Sequence, residues 1–184
     1  AGERAAAGAM HADNAAPCLL GGITLVRSCD PLDVIDLPVP AGLRVVVIHP
    51  HCRVETSRAR AILRGYGFPI EHAVANLGNL GAFVTALHRS DLAMLGRSIE
   101  DRLVEPLRAG LIPGYGEMRR AALEAGALGC SISGSGPSVF ALADSDVTAS
   151  RIAAAMTAAL GEASGLTSDS YACPVNTDGA RRAD

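Results

Sequence analysis

Two apolar, strand-sized runs, Cys130-Ser131-Ile132 and Val139-Phe140-Ala141-Leu142, are held apart by Ser133-Gly134-Ser135-Gly136-Pro137-Ser138. Glycine takes the positive φ that a tight loop demands, so the segment is predicted to be a strand, a glycine loop and a second strand. Two glycines flanking a serine also let backbone N–H groups approach an oxyanion with no Cβ in the way. Taken alone, the loop fits a hairpin or bulge as well as a ligand site.

The flanking segments extend this into a fold. Tyr115 to Leu128 has helical spacing and leads into the loop, with Gly129 as the expected C-cap. Upstream, Ile70 to Leu87 carries Val74, Leu77, Leu80 and Val84 on one helical face. A second helix is predicted from Ser90-Asp91 through Leu92, Leu95, Ile99 and Leu103 to Glu105, where Pro106 would break it. A short helix is expected from Glu55-Thr56-Ser57 through Leu63, and an alanine-rich one from Ala149 to Leu160. Leu43-Arg44-Val45-Val46-Val47-Ile48 is β-branched enough to be a buried strand, and Ser168 to Val175 alternates as an edge strand would. Near the start, residues 2–12 favour helix, ended by Pro17 and Gly21-Gly22 before a strand at Ile23-Thr24-Leu25-Val26; Pro31 to Pro40 reads as a proline-punctuated connection. Strands interspersed with paired helices predict an α+β two-layer sandwich, helices on one face of a largely antiparallel sheet.

Bulk properties remove several function classes. The 184 residues are nearly half apolar, enough for a sizeable core, and carry 16 basic and 19 acidic side chains. Every basic residue is arginine, the net charge is −3 and no basic face stands out, which argues against nucleic acid as a partner. The longest apolar runs are far shorter than a membrane span, so no membrane partner is expected. Five widely spaced cysteines (Cys18, Cys29, Cys52, Cys130, Cys173) form no Cys-x-x-Cys pair and read as reduced, buried thiols, from which a cytoplasmic location is expected. Ala1-Gly2-Glu3-Arg4 lacks a basic or long apolar leader, so the chain is expected to start within a longer polypeptide rather than with a signal peptide.

Three further groups carry potential chemistry. His11-Ala12-Asp13-Asn14 places strong hydrogen-bonding side chains before an apolar segment, where helix capping competes with ligand binding. Glu3, eight residues before His11, shares its face if the helix is continuous, and a carboxylate there could hold Mg²⁺. Thr56 and Arg60 lie at i and i+4, and Arg108 follows Glu105-Pro106; two guanidinium groups brought together make a site for an amino-acid carboxylate, though arginine is also an ordinary surface residue.

His11-Ala12-Asp13-Asn14-Ala15-Ala16-Pro17-Cys18-Leu19-Leu20-Gly21-Gly22 resembles the signature of the homoserine kinase family. Ser133-Gly134-Ser135-Gly136-Pro137-Ser138 is similar to the third motif of the wider GHMP superfamily of galactokinases, homoserine kinases, mevalonate kinases and phosphomevalonate kinases. Thr56 to Leu63, Glu105-Pro106-Leu107-Arg108, Ile112-Pro113-Gly114-Tyr115 and Asn176-Thr177-Asp178-Gly179-Ala180-Arg181 support it, so the resemblance spans nearly the whole chain. It implies a ferredoxin-like GHMP C-terminal domain over residues 36–184, preceded at 1–35 by the tail of the N-terminal kinase domain. It also implies ATP and Mg²⁺ as cofactors and L-homoserine as the phosphoryl acceptor.

Site roles follow from the same resemblance. Glu3 would bind the metal, Arg60 and Arg108 the homoserine carboxylate, and Asp13 its ammonium group. His11 and Asn14 would lie at the reacting hydroxyl, Thr56 would line the same pocket, and the loop Ser133, Gly134, Ser135 and Gly136 would back the phosphate and substrate region. The family's ATP-phosphate loop, Pro-x-x-x-Gly-Leu-Gly-Ser-Ser-Ala, does not occur in these 184 residues, so the missing N-terminal half is expected to be required for activity. A homodimer is a further expectation. The alternatives are another superfamily kinase, for mevalonate or a shikimate-type substrate, and a non-catalytic amino-acid-binding or dimerisation module.

Overall fold

The structure is a computed structural model that describes residues 12–55, 59 and 61–182. Two compact units emerge, one formed by Ala1–Ala41 with Val175–Asp184 and the other by Gly42–Pro174.

In the first unit, helix α1 (Ala15–Leu20) precedes an antiparallel hairpin of β1 (Ile23–Cys29) and β2 (Leu32–Leu37), in register from Ile23↔Leu37 to Cys29↔Leu32. The helix is a correction to the sequence reading. Pro17 does not end a helix but sits in the first turn of this one, where an N–H has no intrahelical acceptor. The Pro31–Pro40 connection is also corrected, because Leu32–Leu37 is strand paired along its length with β1. The closing segment comes back against α1. Gly22 N–H donates to Asn176 O at 2.8 Å and Ala180 N–H to Leu19 O at 3.2 Å. The crossing is so close that a Cβ on Gly21 would lie 2.4 Å from Gly179 N, and Gly21 itself has φ +77. Two motifs far apart in sequence, Gly21-Gly22 and Asn176–Arg181, are thus one packing contact.

The second unit is the expected sandwich. Strands β3 (Arg44–Pro50), β4 (Gly129–Ile132), β5 (Val139–Ala143) and β6 (Ser168–Pro174) form a sheet in the order β4-β5-β3-β6, with every neighbouring pair antiparallel. The chain visits them as β-α-β-β-α-β, the ferredoxin-like arrangement. Helices α2 (Ile70–Arg89), α3 (Leu92–Arg97), α4 (Glu105–Arg108) and α5 (Tyr115–Glu124) lie between β3 and β4, and α6 (Asp146–Ser164) between β5 and β6. Alternate strand residues Val46, Ile48, Val139 and Ala141 meet Met118 and Ala122 of α5 and Ile152, Met156 and Leu160 of α6, all fully buried. Burying each of the larger side chains contributes roughly 1.5–3 kcal/mol. β6 takes the edge position that its alternation predicts, but neither of its faces is buried.

Helix boundaries bring four more corrections. The helix after Asp91 stops at Arg97 instead of reaching Glu105, and Pro106 opens α4 rather than breaking a helix, because a proline in the first turn loses no hydrogen bond. α5 ends at Glu124, short of Leu128. Gly129 is no cap: it starts β4, where a Cβ would come 2.8 Å from Ile99 Cβ. Of the cysteines, Cys130 is buried but Cys18 and Cys173 are exposed, so the expectation of five buried thiols fails. The helix expected over residues 2–12 lies, but for Ala12, outside the described residues; of that expected from Glu55 to Leu63, residues 56–58 and 60 lie outside them, Ala59 and Ala61 are helical, and Ile62 onward is in turns.

Candidate functional site

The glycine loop of the second unit closes on itself. Ser133 N–H donates to Ser138 O at 2.8 Å and Gly136 N–H to Ser133 O at 3.0 Å. Gly134 and Gly136 have φ +59 and +80, values that L side chains rarely adopt. The two glycines differ in their surroundings. A Cβ on Gly136 would strike Ile112 Cδ1 at 2.8 Å, whereas one on Gly134 would meet nothing within 4 Å. Gly136 therefore serves packing, and Gly134 holds the open side of the loop, where the N–H groups of Gly134 and Ser135 are the ones the turn itself does not use. Ser138 Oγ pairs with His49 Nδ1 at 2.8 Å at the loop's exit.

Of the residues singled out from sequence, Arg108 and the loop come together. Arg108 Nη1 donates to Gly134 O at 3.0 Å, while its Nε is buried without a hydrogen-bond partner among the described residues. A buried guanidinium N–H with no acceptor is costly unless a ligand supplies one. The edge of Arg108 left by the Gly134 contact suits a carboxylate bound through two parallel hydrogen bonds.

Arg108 ends a helix of a single turn, which cannot hold itself. Asp101 builds it. Its carboxylate accepts from the N–H groups of Leu103 (2.8 Å), Val104 (3.0 Å) and Glu105 (3.0 Å), and from Asn76 Nδ2 of α2 (2.8 Å). Burial raises the Asp101 pKa, but the bonds from Asn76, Val104, Leu103 and Glu105 outweigh it and hold the carboxyl below its ordinary value. Glu105, at the start of the helix, turns inward: Oε2 accepts from Ser131 Oγ at 2.5 Å, and Oε1 lies 3.5 Å from Arg119 Nε. Burial pushes the neighbouring Tyr115 phenol far above its ordinary pKa, with Glu105 adding to the push; burial likewise raises the Cys130 thiol to about 12. Sequence reading gives Asn76, Asp101, Glu105 and Ser131 no role at the site, although Glu105 and Ser131 fall within its motifs. The Asp101-x-x-x-Glu105-Pro106 spacing is a start signal for a helix that a continuous-helix reading hid.

Asp13 and Asn14 belong to the first unit and are exposed. Asn14 stands at the N-cap position of α1, yet its side chain makes no capping bond, which leaves it open to other partners. Glu3, His11, Thr56 and Arg60 lie outside the described residues. Among the described residues no group of three or more His, Cys, Asp or Glu could hold a metal, and no helix is long and apolar enough to cross a membrane.

The sandwich and its glycine loop define a class: residues 83–162 match the family "GHMP kinases C terminal", so the chain carries a GHMP kinase C-terminal domain. Within that class the resemblances are narrower. It is 49% identical over 180 residues to a homoserine kinase of Chloroherpeton thalassium, covering 98% of this chain and 56% of that protein. A crystal structure of homoserine kinase from Cytophaga hutchinsonii superposes with a TM-score of 0.92 at 52% identity, over 97% of this chain and 56% of that one. L. major mevalonate kinase shares the fold alone, with a TM-score of 0.66 at 20% identity. The chain thus spans about half the length of the curated relatives it matches.

Proposed function

We propose that this chain is the C-terminal part of a homoserine kinase, which transfers the γ-phosphoryl group of ATP to the side-chain hydroxyl of L-homoserine and yields O-phospho-L-homoserine for threonine biosynthesis. The observation that carries the reading is Arg108, anchored to the glycine loop with its buried Nε unpaired among the described residues. The likeness to named homoserine kinases over nearly all of this chain supports it.

In this reading Arg108, with Arg60, grips the homoserine carboxylate, and Asp13 takes the ammonium group. His11, Asn14 and Thr56 line the hydroxyl end. The hydroxyl oxygen forms a bond to the γ-phosphorus as the bond to the bridging oxygen of ADP breaks, and the hydroxyl proton leaves to a phosphate oxygen or a base. Such a transfer needs positioning and charge neutralisation more than covalent help. Magnesium is assigned to Glu3 and the nucleotide phosphates, because such ions are usually held by one or two carboxylates plus substrate rather than by a protein cage. When bound, it would neutralise the phosphate charge.

The enzyme is placed in the cytoplasm and as a homodimer by the same proposal. Sedimentation equilibrium of the full-length protein tests the dimer. The activity test is coupled ADP release with L-homoserine and with mevalonate. The full-length polypeptide is expected to turn over homoserine alone, and the 184-residue chain neither; robust ATP-dependent turnover by the isolated chain would sink the claim that it holds only part of the site. Calorimetry separates a regulatory module, which would bind threonine and never nucleotide.

A further inference from the structure

Two contacts join α4 to β4 and the glycine loop at one sequence offset. Glu105 receives the Ser131 hydroxyl and Arg108 donates to the Gly134 carbonyl, each across 26 residues. α4 is therefore laid alongside the end of β4 by two rungs three residues apart. The first rung is enclosed, with the Glu105 side chain only 13% exposed and Arg119 as its counter-charge. A glutamate at a helix start favours the helix dipole equally well from the surface. Enclosing it costs desolvation that a surface position avoids. What enclosure adds is a fixed alignment between a one-turn helix and the strand that feeds the loop.

We propose that Glu105 is a positioning residue: through Ser131 it locks α4 along β4, so that Arg108 and the open side of Gly134 are already aligned when a substrate carboxylate arrives. The inference rests on the carboxylate-binding role proposed for Arg108. Glu105 touches neither substrate nor nucleotide. Its loss shows as weaker capture of the carboxylate, not as slower phosphoryl transfer.

The test uses Ser131→Ala, which removes one hydroxyl and leaves the strand intact, beside Glu105→Gln, both in the full-length polypeptide. Each variant is expected to raise the KM for homoserine by about 10-fold, the scale of one charge-assisted hydrogen bond, with kcat and the KM for ATP changed less than about twofold. The Arg108 Nε–H resonance, assigned by Arg108→Lys, is expected to shift or broaden in both variants. Equal losses in kcat and in both KM values, tracking a lower Tm, would overturn the proposal, as would an unmoved homoserine KM. If the unmutated protein does not phosphorylate homoserine, the substrate reading falls on its own; the Arg108 resonance then decides, and its indifference to Ser131→Ala overturns the positioning role.

Discussion

Asp101 governs more of the site than its place in a connecting segment suggests, because one carboxylate satisfies three N–H groups of α4's start and a side chain of α2. Asp101→Ala is expected to cost about 1–3 kcal/mol in urea unfolding, the range for bonds to a charged acceptor. Its folded-state pKa lies below the unfolded value of roughly 3.9, so its contribution is complete above that pH and is lost as pH falls through the folded pKa. Asp101→Asn should flatten the acid limb of the stability curve below about pH 4 and leave its slope near neutrality unchanged. Cys130 gives a second check. With its pKa pushed up to about 12 by burial, it should resist a thiol reagent at pH 8 in the folded protein, while exposed Cys18 and Cys173 react at once.

At the scale of elements, the glycine loop divides into a packing glycine and an open one. Gly136→Ala is expected to destabilise by more than Gly134→Ala, since both require positive φ, worth about 1–2 kcal/mol, but only Gly136 adds a collision with Ile112. Thermal unfolding of the two variants measures the difference. Strands and long helices were legible because their signals are local: β-branched density at Arg44–Pro50, helical spacing at Ile70–Arg89, glycines between apolar runs at the loop. Between Ser98 and Glu105 the apolar spacing of Ile99 and Leu103 continues a helix on paper, but the Asp101 carboxylate offers the backbone N–H groups a better acceptor and restarts the chain. Likewise Pro31–Pro40 looks like loop because cross-strand partners, which make β2 a strand, lie outside any local window.

At the scale of the molecule, the two units differ in how much they bury. The second has a continuous core between sheet and helices, and Ile152→Ala there should cost about 2–5 kcal/mol. The first relies on a two-stranded hairpin, marginal on its own, and exposes Leu19, Leu20, Leu32 and Ile35. Hydrogen exchange on the isolated chain should therefore show Ile23–Leu37 exchanging well before Arg44–Pro50 and Val139–Ala143. Of the candidate site, the motifs were legible but their mutual geometry was not: Arg108 and Gly134 are 26 residues apart and meet only because α4 lies along β4. The central claim is that Arg108 recognises a substrate carboxylate in a homoserine-phosphorylating enzyme. Its most direct measurement is the homoserine KM of the full-length protein against that of Arg108→Ala and Arg108→Lys. The proposal expects homoserine turnover by the unmutated protein, and a rise of at least about 10-fold in KM for both variants, because lysine cannot supply the paired hydrogen bonds. Homoserine turnover with an unchanged KM in Arg108→Ala would contradict it.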